Sequence, residues 1–217
     1  PDCSNMCHEA SGVALNKAIG VGKGTVVLDD FDKADAIFVF GQNPGSNHPR
    51  MMNALRRAAR NGCKIVTFNN LKEVALKRFA SPQDPIELLT PAATDISHMY
   101  LTPKLGGDMA AVRGMVKCIL KWQQEAEQKG HNDIIDKAFI NAQTCDFDAY
   151  ISQVQRTAWT DIEAQSGLTQ QKNESAAKVL ISAERAICTW AMGITQHKHS
   201  VAIIREIVNL QLLTGNL

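Results

Sequence analysis

The fold is decided by residues 36–46, which read AIFVFGQNPGS. Five apolar residues in a row end at Gly41, and a short continuous apolar run of this kind is typical of a strand buried on both faces of a parallel sheet. The polar turn from Gln42 to Ser46 follows at once. The stretch therefore predicts a buried strand, with its carboxyl end opening into a tight turn.

The next segments complete a βαβ unit. Residues Asn47 to Arg60 have a helical apolar stripe, Asn61 and Gly62 form a helix stop, and Lys64 to Phe68 is a second strand pattern. Two strands joined by one helix in so short a stretch are parallel. We therefore predict an α/β fold with a doubly wound, mainly parallel sheet in a Rossmann-like three-layer arrangement.

The rest of the chain extends this pattern. We predict further strands at 97–101 and 186–190, and helices at 10–19, 108–128 and 199–213. Between 131 and 183 the pattern predicts short helices and one longer helix, an α-helical excursion before the sheet resumes. With no internal repeat and no low-complexity linker, residues 1–217 are predicted to form one domain.

Composition restricts the class of protein. Of the 217 residues, 45% are hydrophobic and 21% are charged, and the formal net charge is +1. A nearly neutral chain has no overall field to attract nucleic acid or an anionic membrane. With no membrane-length apolar run and no signal-peptide pattern, we expect a cytoplasmic protein that binds neither. The six cysteines are scattered, so a disulfide scaffold is not expected.

Polar turns follow the predicted strands. They comprise 41–48 after the first strand, 69–70 after the second, 105–108 before the long helix, and 192–197 after the last strand. In an open α/β sheet, ligands bind beyond the carboxyl ends of the strands. Glycine lets the backbone approach a phosphate, and short polar side chains bond sugar and base edges, so a nucleotide-like ligand is predicted.

Other interpretations of the glycine-rich segments stay open. Gly, Asn and Ser are ordinary turn formers, so any one of these turns has a purely structural explanation. The run from Gly20 to Gly24 lacks the spacing of a phosphate-binding loop and does not sit between a clear strand and helix. A nicotinamide or P-loop nucleotide site is therefore disfavoured.

A second feature is the stretch CSNMCHE at residues 3–9. The adjacent Cys7 and His8 are a nucleophile beside its base, a metal ligand beside a proton acceptor, or an accident of composition. The spacing of Cys3 and Cys7 excludes haem attachment. The other histidines and cysteines lack a zinc-type pairing, and His197 and His199 could face a ligand or simply lie at a solvated helix start.

Four of these motifs, taken in order, resemble one family across nearly the whole chain. They are Cys7-His8, the stretch 38–44 with His48-Pro49, Gly106-Gly107-Asp108, and the stretch 190–196. This succession resembles the catalytic subunit of molybdenum formate dehydrogenases in the DMSO reductase superfamily, and especially formate dehydrogenase-like alpha subunits of uncertain substrate. The resemblance implies an oxidoreductase, and the chain reads as a central domain excised from a larger catalytic subunit.

The resemblance also implies a cofactor. In the family, two molybdopterin guanine dinucleotides hold one molybdenum, and this domain binds one of the pair. By resemblance, Gly41, Asn43, Ser46 and Asn47 approach the phosphates or ribose. Asn69 and Asp108 fall where the family recognises the guanine and its sugar, and Gly107 of the Gly106-Gly107-Asp108 motif is a further cofactor-binding residue. Met192, Gly193 and Gln196 fall where the pterin end lies.

The resemblance assigns catalytic roles to Cys7 and His8. Cys7 falls at the cysteine or selenocysteine that ligates molybdenum, and His8 at the adjacent proton acceptor. A thiolate suits a sulfur-rich metal centre, and an imidazole can accept a proton near neutral pH. Glu9 and Ala10 stand where established formate enzymes carry Gly-Pro, which puts formate as the substrate in doubt. Asn69-Asn70-Leu71 replaces a frequent Asp-Pro-Arg.

The partners implied are the remaining domains of the same catalytic subunit, a small-molecule substrate and an electron-transfer partner that the sequence does not identify. A 4Fe–4S cluster, if present, would be bound outside these residues. Two other functions are kept as alternatives: a non-catalytic nucleotide-binding regulatory module, which would not need Cys7 or His8, and a hydrolase with Cys7 as nucleophile. The hydrolase is disfavoured, because sequence neighbours rarely reach the geometry that nucleophile and base require.

Overall fold

The structure is a computed structural model that describes residues 7–216. Its strands are β1 (Ala36–Phe40), β2 (Lys64–Phe68), β3 (Arg78–Phe79), β4 (Thr94–Asp95), β5 (Met99–Leu101) and β6 (Ala186–Trp190). Four of them form the main sheet in the order β5-β2-β1-β6, and every neighbouring pair is parallel. Strands β3 and β4 form a separate antiparallel pair.

The carboxyl ends of the four parallel strands lie level with one another. Phe40 is paired with Phe68 on one side and with Trp190 on the other, and Phe68 is paired with Leu101. This register confirms the prediction that the strands at 36–40, 64–68 and 186–190 are parallel and end on one edge. The turns that follow them therefore start from a common line.

Helices cover both faces of the sheet. They are α1 (Glu9–Ile19), α2 (Pro44–Asn47), α3 (Pro49–Arg60), α4 (Val74–Lys77), α5 (Pro85–Leu89), α6 (Asp108–Lys129), α7 (Lys137–Gln143), α8 (Phe147–Arg156), α9 (Trp159–Ser166), α10 (Gln170–Ile181), α11 (Met192–Thr195) and α12 (Ser200–Leu213). A 3-10 turn spans Leu28–Asp32. No described helix is long and apolar enough to cross a membrane.

The core is divided between the two faces of the sheet. Phe38 and Phe40 belong to a cluster with α1, α6, α10 and α12, whereas Ile37 and Val39 pack with α3 on the opposite side. All four side chains are fully buried. Each such side chain contributes roughly 1.5–3 kcal/mol to folding, so alternate residues of β1 hold both helical layers to the sheet. The three-layer α/β prediction is confirmed.

The helix predicted from Asn47 is interrupted at His48. This residue has φ −140° and ψ 61°, outside the helical region, and Pro49 is the first residue of α3. Proline disfavours helical conformation in the residue before it, although it suits the first position of a helix. The turn at 44–47 thus folds as the separate helix α2, and the predicted boundary was wrong by two residues.

The strand predicted at 97–101 is shorter than expected and covers only Met99–Leu101. The N–H of Ser97 donates to the carbonyl of Leu76, and its hydroxyl lies 2.7 Å from that of Thr67. The bond to Leu76 ties the backbone of Ser97 to α4, so Ser97 contacts β2 only through its side chain and does not join the ladder. The α-helical excursion is present as α7 to α10, with α10 ending at Ile181.

Candidate functional site

Two glycine turns meet where the order of the sheet reverses. The chain runs from β1 to β2 on one side and later returns to place β6 on the other side of β1. Gly41 follows β1, has φ 54°, and accepts a 3.1 Å hydrogen bond at its carbonyl from the N–H of Gly193. A Cβ on Gly41 would lie 2.8 Å from the Cα of Gly193, so neither position tolerates a side chain without displacement. A switch point of this kind is where open α/β sheets bind ligands.

Gln42 links the ends of three strands. Its backbone carbonyl accepts a 2.9 Å bond from Nδ2 of Asn69, which is buried at the end of β2. Its side-chain oxygen accepts a 2.8 Å bond from the hydroxyl of Thr189 in β6. The sequence offered no signal for this role, because Thr189 lies far along the chain. Gln42 fixes the relative position of the turns.

Asn43 organises the first turn from within. Its Oδ1 accepts from the N–H of Ser46, and its Nδ2 donates to Glu73 over 2.7 Å. Any ligand contact by this amide would therefore compete with Glu73. Ser46 and Asn47 are exposed at the end of the turn, free to face solvent or a ligand.

The two glycines before α6 differ in their surroundings. Gly106 is exposed and has φ 79°, a left-handed conformation that favours glycine. Gly107 is buried, and a Cβ there would lie 2.6 Å from the carbonyl oxygen of Gln165. Gly107 is therefore needed for packing against the end of α9, while its predicted contact with a cofactor stays a prediction.

Asp108, the first residue of α6, is a buried carboxyl at this edge. It is 7% exposed, and burial raises its pKa to about 6, although its own N–H and the nearby His197 act in the opposite direction. A Cβ on Gly106 would lie 3.5 Å from the His197 ring, which brings the third and fourth turns together. Strongly shifted carboxyls of this kind are concentrated at functional sites.

The turn after β6 presents several predicted residues to solvent. Met192 is 54% exposed, and Gly193 and Gln196 are also exposed, whereas Ile194 anchors α11 in the core. Beneath them, Oγ1 of Thr195 is buried and has no hydrogen-bond partner among residues 7–216. Buried polar atoms are seldom left unpaired in native proteins. At least one buried polar atom of this loop therefore lacks a hydrogen-bond partner within the described residues.

The start of α1 is tied to the same edge. Nε1 of Trp190, the last residue of β6, donates a 2.9 Å bond to the hydroxyl of Ser11. Glu9 and Gln196 line a shared shallow depression of about 540 Å³. The half-buried Cys7 and the exposed His8 immediately precede α1, so the predicted catalytic pair lies beside the turn after β6. Residues 3–6 of the same motif lie outside the described residues.

Comparisons with known proteins identify the chain's relatives. The family model described as molybdopterin oxidoreductase matches residues 3–217. Protein YdeP of Escherichia coli strain K12 is 43% identical over the whole chain, which covers 29% of that protein. Formate dehydrogenase H of the same strain is 28% identical over 99% of the chain, which covers 26% of its length.

The chain belongs to the molybdopterin oxidoreductase family. It spans a little more than a quarter of the length of these curated relatives. Among solved structures, acetylene hydratase from Pelobacter acetylenicus superposes with a TM-score of 0.75 at 20% identity, over 99% of this chain and 25% of that one. At this identity the superposition shows a shared fold.

The residues at the sheet edge fit the molybdenum–pterin cofactor that membership of the family implies. Exposed polar side chains of Ser46, Asn47 and Gln196 surround the contact between Gly41 and Gly193, and His197 links Asp108 to the last of these turns. Among residues 7–216, no three His, Cys, Asp or Glu side chains are grouped to hold a metal ion. A metal at this edge would therefore need ligands from the cofactor or from other parts of the polypeptide.

Proposed function

We propose that this domain binds one of two molybdopterin guanine dinucleotides in a molybdenum oxidoreductase of the formate dehydrogenase type. The observation that carries the proposal is the meeting of four polar turns at one sheet edge. Asn69 bonds the first turn, Gly193 contacts it, and His197 joins the Gly106–Asp108 turn to the last one. The family match and the similarity to formate dehydrogenase H support the same class.

The residues would divide the dinucleotide between them. Ser46 and Asn47 are suited to the phosphates and ribose because their side chains are exposed, and Gly41 permits a close approach because it has no side chain. Asp108 and Asn69 are suited to the guanine end, where a carboxyl and an amide can bond ring N–H and carbonyl groups. Met192, Gly193 and Gln196 lie on the other side of the switch point, which leaves them for the pterin end.

Cys7 and His8 carry the chemistry in this proposal. When bound, the molybdenum–pterin group supplies a two-electron acceptor. The Cys7 thiolate acts as a soft metal ligand, and the His8 imidazole accepts the proton that the substrate releases on oxidation. The bond between Trp190 and Ser11 holds the start of α1 beside the last turn, which would keep both side chains near the cofactor.

The proposal also covers the full-length protein. We infer a cytoplasmic enzyme whose other domains bind the second dinucleotide and complete the active site, with any 4Fe–4S cluster outside these residues. A small-molecule substrate and an electron-transfer partner are required. The residues after His8, Glu9 and Ala10, leave the substrate open between formate and another small molecule.

Substitution of the catalytic pair in the full-length protein tests this assignment. We expect Cys7→Ser to abolish formate-dependent reduction of an artificial electron acceptor and to change the Mo(V) paramagnetic resonance spectrum, because a hydroxyl is a harder and less acidic ligand. His8→Ala should slow turnover by about 10²-fold to 10⁴-fold, the usual contribution of a positioned general base, with molybdenum retained.

Cys145→Ser and His131→Ala are matched controls, since both side chains are exposed on the helical excursion away from the sheet edge. They should leave turnover and the spectrum unchanged. If the wild type does not turn over formate, the spectrum alone reports on Cys7. A normal spectrum and normal turnover in Cys7→Ser would contradict the enzymatic role and favour a non-catalytic nucleotide-binding module.

A further inference from the structure

Strand β6 is the outermost strand on one side of the sheet, and within residues 7–216 only β1 pairs with it. This lateral edge is distinct from the line of strand carboxyl ends where the polar turns lie. The backbone N–H of Ala186 donates a 2.6 Å bond to Oδ1 of Asn216, and its carbonyl accepts a 2.9 Å bond from Nε2 of Gln211. The peptide groups of Ala186 therefore face away from β1. Side chains from the end of α12 and just beyond it cap them.

The next outward-facing peptide groups on this edge have no such cap. Alternate residues of a strand direct their backbone groups to the same side, so the N–H and C=O of Cys188 and Trp190 face the same edge as those of Ala186. Neither residue makes an outward backbone hydrogen bond within the described part of the chain. The outward N–H and C=O groups of Cys188 and Trp190 are thus available to pair with another strand.

An apolar groove of about 450 Å³ runs along this open edge. Leu15 of α1 and Ile207 of α12 line it, and Val26 of the segment before β1 also contributes. Val26 is 42% exposed. The groove therefore offers apolar surface beside the unpaired edge.

Strand β6 itself carries none of the usual devices that protect a free edge beyond Ala186. Natural proteins blunt free edges with charges, proline or bulges, yet β6 reads AICTW and its register with β1 is unbroken. An unprotected apolar edge attracts another strand. A free apolar edge of this kind is a template for pairing with another strand.

We propose that an extended segment of the same polypeptide, from outside residues 1–217, pairs with Cys188 and Trp190 as an added strand of the sheet. This rests on the proposed function only in assuming that the domain belongs to a larger subunit. The chain covers 29% of Protein YdeP, and Gly215 and Asn216 line the groove, so polypeptide following them starts within reach of the edge. An attached segment outcompetes a second copy through its high effective concentration.

Residue-resolved hydrogen exchange on the full-length wild-type protein tests the proposal. We expect the amides of Cys188 and Trp190 to exchange at least about 100-fold more slowly than unstructured amides, at any protein concentration and in a monomer. Exchange at unstructured rates would contradict an added strand. Protection that disappears when a dimer dissociates on dilution would instead identify a second copy as the occupant, and would overturn the proposal.

Two variants of Cys188 test the added strand by comparison with each other as well as with the wild type. Cys188→Pro removes the outward N–H and leaves the β1 ladder bonds intact, whereas Cys188→Ala keeps this N–H. We expect exchange at Trp190 to accelerate at least about 10-fold in the proline variant and to stay unchanged in the alanine variant. Equal exchange in both would count against pairing. Molybdenum content is measured separately, so loss of the proposed function is distinguishable from loss of the added strand.

Discussion

Two carboxylates are buried to a similar extent in this domain, yet their surroundings differ. Glu87 of α5, with a side chain 2% exposed, accepts a 2.7 Å bond from the N–H of Ser81 and pairs with Arg56 and Arg60. The Ser81 bond and then the arginines hold its pKa below the usual value despite burial. Within residues 7–216 no arginine or lysine pairs with Asp108, and burial raises its pKa to about 6.

The difference shows that burial by itself does not determine what a carboxylate does. Glu87 has partners for both oxygens, and it connects the α5 segment to α3 as part of the fold. Asp108 is held at a sheet edge with its charge only partly compensated by its own N–H and His197. An under-compensated carboxyl near the turn after β6 is suited to a ligand that supplies hydrogen-bond donors.

The largest effect should come from breaking the compensated cluster. Glu87→Gln removes the buried charge that Arg56 and Arg60 share and leaves Asp84 as their remaining acidic partner, and removing one member of a buried ion pair is strongly destabilising. We expect the midpoint of thermal unfolding to fall by roughly 10 °C. Glu125→Gln, on the exposed face of α6, is the control and should change the midpoint little. An unchanged midpoint in the Glu87 variant would show that the cluster does not stabilise the fold.

Asp108→Asn should act in the opposite direction. The pKa of this carboxyl rises from 3.8 to about 6 on folding. The ionised carboxyl therefore lowers the free energy of unfolding, and this loss is complete above pH 6. The variant should therefore gain about 1–3 kcal/mol at pH 8 in cofactor-free protein, and nothing near pH 3.5. Chemical denaturation across this range measures it. A gain that does not depend on pH would contradict the raised pKa.

His197→Ala should give the smallest effect. His197 lowers the pKa of Asp108, so its removal should move the pKa of that carboxyl upward. The pH dependence of the Asp108→Asn stabilisation, repeated in the His197→Ala background, should shift to higher pH. His199→Ala, two residues along and exposed, serves as the comparison. Identical pH profiles in the wild-type and His197→Ala backgrounds would show that His197 does not affect the pKa of Asp108.

The sequence predicted the layers of the fold because strands such as Ala36–Phe40 are buried on both faces and carry an uninterrupted apolar pattern. One of the elements that it missed was decided by a neighbouring residue, and another by a bond between distant segments. The break at His48 depends on Pro49, and the shortened β5 depends on a tertiary bond from Ser97 to Leu76. Bonds between distant segments leave no periodic pattern in the sequence.

The candidate site was predicted in part for a related reason. Turn composition and the resemblance identified Gly41, Gly193 and Asp108, which the structure brings to one edge. The linking role of Gln42 and the proximity of His197 to Asp108 depend on which strands are neighbours, and spacing along the chain does not reveal this. Gly107 was chosen for its motif, although its packing against Gln165 explains the glycine.

Analysis of molybdenum and guanine nucleotide in the purified full-length protein tests the central claim most directly. The proposed function predicts one molybdenum and two guanine nucleotides per polypeptide after acid release. Replacement of Asp108 by Ala should reduce the nucleotide content, because the variant lacks the carboxyl placed at the guanine end. Wild-type protein that contains neither molybdenum nor guanine nucleotide, when produced in cells that make the cofactor, would contradict the assignment.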